Sequence, residues 1–313
     1  GNTASGEASV ALGNANTASG DRSIAIGSGA LANQGAAIAI GRQAEATGSS
    51  AVAVGYVNKA KKNVAVALGV NNDVDGEEST AVGSSNTIAT NANQASVIGR
   101  KNKVNRAGSF VGGFSNVTNG ERNVAVGSEN TTTGEDSIGI GTKVIAGTGK
   151  TIAIGSVASN NGTTIQTIAR GNDTVNTATG QVNNIFALAI GNGAQADGKA
   201  KSASGMIAIG QEVTADNNNT IAIGVKTEAT GNNGTAIGVC AKAIGTPSAA
   251  FGTQAVANGL GATAFGPGAS AGDGATEADG STAVGRKSTV TAEGGTGIGW
   301  ATTVSAKDAT AIG

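Results

Sequence analysis

Along this chain a short phrase recurs in which two aliphatic residues flank a small one and are followed by glycine. It reads Val10-Ala11-Leu12-Gly13, Ile24-Ala25-Ile26-Gly27, Ile38-Ala39-Ile40-Gly41 and Val52-Ala53-Val54-Gly55, and it persists to Gly313. Taking the glycine as an anchor gives Gly13, Gly27, Gly41, Gly55, Gly69, Gly83, Gly99, Gly113, Gly127, Gly141, Gly155, Gly191, Gly210, Gly224, Gly238, Gly252, Gly266, Gly285, Gly299 and Gly313. Of the 19 intervals between them 15 are 14 residues long, and the others are 16, 36, 19 and 19. A fixed period of this kind marks a solenoid. Three and five residues after each anchor stand small residues, as in Ala44/Ala46, Ala241/Ala243 and Ala255/Ala257. A second glycine often follows at seven, as at Gly20, Gly48, Gly76, Gly134, Gly231, Gly245 and Gly259. Both half-phrases alternate with period 2, which strands satisfy and helices do not. Each repeat is therefore expected to run strand, glycine corner, strand, glycine corner, with two strands of about five residues and positive φ at the glycines.

The two strands differ in what they show to either side. In the first, large aliphatics occupy one face and alanine the other, so both faces are apolar, as in a strand buried on both sides. In the second, one face is small while the other carries Gln43/Glu45/Thr47, Lys226/Glu228/Thr230 and Gln254/Val256/Asn258, which suits water. One coil thus has an interior, a wet face and a third, apolar face without a partner in its own chain, and lateral association through the first strand is expected. Either face of the first strand is eligible for the interior; the larger aliphatics are the expected core. Coils stacked about 4.8 Å apart would make some 20 of them a rod of about 95 Å. The same stacking sets Lys59 against Asp73 and Lys61 against Asp75 as exposed pairs of adjacent coils.

Composition removes most catalytic chemistry. The 313 residues include 52 Gly, 2 Pro, 7 aromatics, one Cys and no His. Imidazole bases, Ser-His and Cys-His nucleophiles and imidazole metal sites are excluded, and Cys240 alone forms no intrachain disulfide or Cys-rich metal site. Neither an enzyme nor a cofactor is expected. Lys and Arg number 20 against 21 Asp and Glu, a net charge of −1, which gives no reason to expect nucleic acid or an anionic membrane as partner. No run of about 18 apolar residues and no signal-peptide pattern is present.

Dense glycine also generates false fingerprints. The pattern G-x-G-x-x-A occurs from Gly27 to Ala32, Gly191 to Ala196 and Gly266 to Ala271, each time at an anchor, where the coil corner explains it. Gly149-Lys150-Thr151 lacks the first glycine of a phosphate loop, since Val144 stands there. Asn71, Asp73, Asp75 and Gly76 imitate the start of a calcium loop whose twelfth position is Val82 instead of Glu. Arg100, Lys101, Lys103 and Arg106 form a basic cluster with only Phe110 and Phe114 as aromatic neighbours, which suits solvent or an anionic polysaccharide better than nucleic acid.

Departures from the period are the better recognition candidates, because loops on a rigid scaffold carry binding. The 36-residue interval, an insertion around 156–185, contains Thr163-Thr164-Ile165-Gln166-Thr167-Ile168 and Thr174-Val175-Asn176-Thr177-Ala178-Thr179 on either side of Gly171-Asn172-Asp173. It is expected to be a β-hairpin with a polar tip. Smaller insertions fall around 84–95, 192–205 and 267–281. Arg170, Asn172, Asp173, Lys199 and Asp273 are the candidate ligand contacts.

The phrases Ser23-Ile24-Ala25-Ile26-Gly27 and Ser9-Val10-Ala11-Leu12-Gly13, repeated every 14 residues with Ala-x-Ala-x-Gly between them, resemble the YadA-type head repeats of trimeric autotransporter adhesins. The resemblance implies an all-β fold, a left-handed parallel β-roll of 14-residue repeats standing side by side as a homotrimer. It further implies display outside a Gram-negative outer membrane. Residues 1–313 are then expected to be one head cut from a longer chain that carries stalk and anchor elsewhere. The implied role is non-catalytic, multivalent attachment to extracellular matrix, cells or abiotic surfaces, with no nucleic acid and no membrane contact by this segment. The alternatives are a structural spacer and, more remotely, an ice-binding solenoid, although the wet positions lack the matched threonines that ice requires.

Overall fold

The computed structural model describes residues 1–147, 149–156, 159–160, 167–170, 175–178, 187–198, 205–272 and 279–313. Among them every regular element is a β-strand, and the chain is an all-β parallel solenoid of about 19 turns. It comprises two compact units, Gly1–Ala146 and Gly147–Gly313.

In the first unit each rung contributes one long and one short strand to two separate parallel sheets. Long strands such as Ile24–Ser28, Ile38–Arg42 and Val52–Tyr56 pair in steps of one repeat, Ile24 with Ile38 and Ile38 with Val52. Short strands do the same, Glu45 with Lys59 and Lys59 with Asp73. The short strand spans two residues, as at Glu45–Ala46, and not the expected five. The reason lies in the backbone: residues such as Gln43 (φ 53°) and Ser50 (φ 56°) turn left-handed on either side and leave little straight chain between them.

The two glycine corners work differently. Anchors Gly13, Gly27, Gly41, Gly55, Gly69, Gly224, Gly238, Gly252, Gly266 and Gly299 all have positive φ, between 116° and 142°. A Cβ at Gly55 would also lie 1.9 Å from the Gly69 carbonyl oxygen. At the second corner φ is ordinary and only space demands glycine: a Cβ at Gly48 would lie 1.9 Å from the Lys62 carbonyl oxygen. Positive φ there falls two residues later, on non-glycines such as Arg22, Ser50 and Val64.

The core is the reverse of the expected one. Ala25, Ala39, Ala53 and Ala67 are fully buried, together with Ala18, Ala32, Ala46 and Ala60 of the short strands. The flanking Ile24 and Ile26, Val52 and Val54, and Val66 and Leu68 are only half-buried and point outward. The two sheets of one rung face each other across a gap filled by methyl groups, too thin for two rows of isoleucine. Where the interior holds something larger, its opposite can shrink: Val290 is fully buried, and a Cβ on Gly297 would lie 3.1 Å from its Cγ2. Interiors filled to this density respond to a single methylene.

The second unit repeats the scheme, with Ile207–Ile209 paired to Ile221–Ile223 and on to Thr235–Ile237. The described strands of the expected hairpin do not pair with each other. Thr167–Arg170 joins the long-strand sheet, parallel to Thr151–Ile154 and to Ala187–Ile190. Val175–Ala178 joins the short-strand sheet beside Gln195–Gly198. The two segments are consecutive strands of a further rung, concealed in the sequence because Arg170 occupies the aliphatic place before the anchor. The proposed tip, Gly171-Asn172-Asp173, lies outside the described residues.

Candidate functional site

Two surfaces are built by the repeat, and the first is the outer face of the long strands. Because alanine fills the interior, the aliphatics three residues and one residue before each anchor stand in two outward columns. In the first unit Val10, Ile24, Ile38, Val52 and Val66 run beside Leu12, Ile26, Ile40, Val54 and Leu68 in register. Leu12 is 62% exposed, and Val10, Ile40, Val82 and Ile98 are also exposed. Towards the end of the second unit one column changes to Thr235, Ala249, Thr263, Thr282, Thr296 and Thr310 while the other stays apolar through Ile237, Phe251, Phe265 and Val284. Phe251 and Phe265 stack with ring centroids 6.0 Å apart. Contiguous exposed apolar side chains of this kind mark an interaction face.

The second surface is the wet side, where charged residues pair from rung to rung. Register puts Lys59 opposite Asp73, yet the Lys59 ammonium reaches back to Glu45 at 3.6 Å and Lys61 reaches diagonally to Asp73 at 2.5 Å. Asp75 accepts a hydrogen bond from Thr90 Oγ1 at 2.6 Å. Lys242 donates to both Glu228 oxygens at 3.0 Å. Arg122 grips Asp136 with two hydrogen bonds of 2.6 and 3.2 Å, which together with the Asp136 charge raise its pKa further. Such exposed pairs, screened by solvent, contribute little to stability.

A buried polar ladder was legible three residues after the anchors but merges there with the alanines. Asn58, Asn72, Asn86, Asn102, Asn116 and Asn130 are almost completely buried. Each amide oxygen accepts from the next backbone N–H, as Asn72 N–H to Asn58 Oδ1 at 2.9 Å and Asn86 N–H to Asn72 Oδ1 at 3.1 Å. Each amide nitrogen donates to the carbonyl of the anchor one rung on, as Asn72 Nδ2 to Gly83 O at 2.9 Å. The ladder thus satisfies corner groups that the sheets leave over.

Of the candidate contacts, Arg170 ends the strand Thr167–Arg170, in register with Ile154 and Ile190. Asn172, Asp173, Lys199 and Asp273 lie outside the described residues. Among the described residues no three Asp, Glu or Cys side chains gather in a metal-holding group. Cys240 sits at φ 55° in the turn after Gly238, partly exposed. Among the described residues Glu7, Ala8, Asp21 and Arg22 line one surface depression.

A family model for the YadA head domain repeat, described in two copies, matches residues 4–30, 32–57, 64–86, 215–239 and 243–269. The chain carries a YadA-type head domain. The matched head repeats hold the regular anchors from Gly13 to Gly83 and from Gly224 to Gly266, whereas the 36-residue interval and its neighbours fall between the matches. Comparison with curated proteins gives no match. No helix among the described residues is long and apolar enough to cross a membrane.

Proposed function

We propose that this segment is the head of a trimeric autotransporter adhesin, a left-handed roll in which three copies associate laterally through the long-strand face. The association presents the wet faces and corners outward in threefold repetition. The observation that carries the reading is the double column from Val10 and Leu12 to Val66 and Leu68, apolar and outward although alanine already fills the interior. The head-repeat match supports the same reading. Attachment is non-catalytic and multivalent: several weak contacts held by one rigid body raise avidity through effective concentration without a deep pocket. Matrix proteins, cell surfaces and abiotic materials are the proposed ligand classes. Arg170, Asn172, Asp173, Lys199 and Asp273, in the segments that depart from the period, are proposed contact points. Display outside an outer membrane belongs to the same proposal.

The test is adhesion of the isolated chain, with its mass confirmed in the same preparation, to collagen, fibronectin, laminin, cultured cells and polymer surfaces. Saturable binding to at least one is expected. A trimer that binds none of them is a spacer, and the adhesive reading falls.

A further inference from the structure

One position in the rung carries a pairing that neither stacking nor the lateral face explains. Immediately after the anchor glycine stand three of the arginines, Arg42, Arg100 and Arg286, and one rung after each stands an aromatic residue in the same position: Tyr56, Phe114 and Trp300. No other aromatic of the chain occupies that position. The Arg42 guanidinium lies over the Tyr56 ring at 5.5 Å, and Arg100 over the Phe114 ring at 4.8 Å. Arg286 and Trp300 follow the register that pairs Val284 with Ile298, and Trp300 is 73% exposed. An arginine stacked this way keeps its planar fork of N–H donors free at the edge, held in orientation by the ring.

The electrostatic setting separates these arginines from the other side of the rung. Lysines on the wet face, such as Lys61 and Lys242, have carboxylate partners. Arg42, Arg100, Lys101 and Lys103 have no ion-pair partner among the described residues. In the two positions following the anchors, from Asn14 to Ser115, there are three cations, Arg42, Arg100 and Lys101, and no Asp or Glu. Lys103 extends the group on the same rung, flanked in register by Thr87 and Val117. Arg42 and Arg100 stand four rungs apart, about 19 Å along one edge at about 4.8 Å per rung.

We infer that this edge binds an acidic polysaccharide, its stacked arginines taking sulfate and carboxylate groups in bidentate hydrogen bonds while the chain of sugars lies along the rungs. The spacing favours that occupant. A nucleic-acid strand carries a charge every ~3.4 Å and is held by bare aromatic platforms, whereas here the cations are sparse and the guanidinium groups cover the Tyr56 and Phe114 rings. Oxyanions that offer two oxygens to the planar arginine fork are the strongest contacts such a surface offers. The inference rests on the adhesive reading and names a ligand class for it.

The experiment passes the full chain over immobilised heparin, hyaluronate and single-stranded DNA at about 0.15 M salt, beside the matrix and cell panel above. Retention on heparin, weaker retention on carboxylate-only hyaluronate and little on DNA are expected. R42Q combined with R100Q, K101Q and K103Q lowers heparin affinity at least about tenfold. Y56A with F114A, which keeps every charge, causes a smaller loss. K226Q with K242Q, at the same places in the rung as Lys101 and Lys103 but already paired with Glu212 and Glu228, causes none. Circular dichroism confirms that each variant is folded. Absence of heparin binding by a chain that adheres to matrix or cells overturns this inference and leaves the adhesive reading intact. Equal loss in K226Q/K242Q, or DNA retained as firmly as heparin, also overturns it. Binding to nothing at all removes both.

Discussion

Asn72→Ala removes one step from the middle of the buried amide ladder, and the structure sets the cost. The Asn72 amide nitrogen lies 3.1 Å from Asn58 Oδ1, 2.9 Å from Leu68 O and 2.9 Å from Gly83 O, and its oxygen accepts from Asn86 N–H at 3.1 Å and Asn86 Nδ2 at 3.0 Å. Alanine fits the space, since Ala30 and Ala44 occupy the equivalent place in other rungs, fully buried or nearly so. The loss is therefore one of hydrogen bonding. The Asn86 backbone N–H is left without an acceptor in a site closed to water, while the Asn86 amide keeps Gly99 O at 2.8 Å and Val82 O at 3.4 Å. At about 1–3 kcal/mol for a stranded buried donor, the expected destabilisation is about 1–3 kcal/mol. Because rungs couple only to their neighbours, the effect is local. Urea unfolding gives the total, and amide hydrogen exchange should show lost protection concentrated between rungs 58 and 102. A loss under about 0.5 kcal/mol, or protection lost evenly along the chain, refutes the claim that the ladder holds these corners.

Three further outcomes follow from the same geometry. Ala53→Leu enlarges an inward methyl and costs about 1–3 kcal/mol by overpacking, whereas Val70→Leu, at an exposed position after an anchor and outside the associating columns, leaves the thermal midpoint nearly unchanged; equal effects would contradict the alanine core. Val64 is exposed and β-branched at φ 56°, so Val64→Asn is expected to stabilise by about 0.5–1 kcal/mol in urea unfolding, and a loss would show that its side chain contributes more than its backbone costs. Ile26→Asp combined with Ile40→Asp should reduce the sedimenting mass to that of one chain while circular dichroism still reports β-structure; an unchanged mass would place the interface elsewhere.

The repeat period, the parallel pairing and the corners were legible because backbone geometry imposes them on residue type at every turn. Which apolar face lies inside was not. Ile24-Ala25-Ile26 alternates identically for either choice, and the answer depends on how closely the opposing short strand approaches, a tertiary distance that alternation does not encode. The rung containing Thr167–Arg170 was hidden by a single residue, Arg170, in an aliphatic column, and two segments of one coil therefore looked like a hairpin. The asparagine ladder was visible at every place from Asn58 to Asn130, yet a small polar residue in an inward column carries meaning only once its neighbours above and below are known. Ion-pair partners differed from register for a simpler reason: the Lys61 side chain is long enough to reach Asp73 diagonally, and Asp75 is taken by Thr90 from an enlarged turn.

The outward aliphatic columns lead to the claim on which the proposed adhesive role depends, that the face is closed by further copies of the chain. Light scattering or sedimentation equilibrium of the purified chain measures this directly. The account predicts a particle of three times the 29.8 kDa chain mass, stable to dilution and to high salt because the contact is apolar. A monomer that stays folded and soluble with Leu12, Ile40 and Ile98 open to water would contradict it.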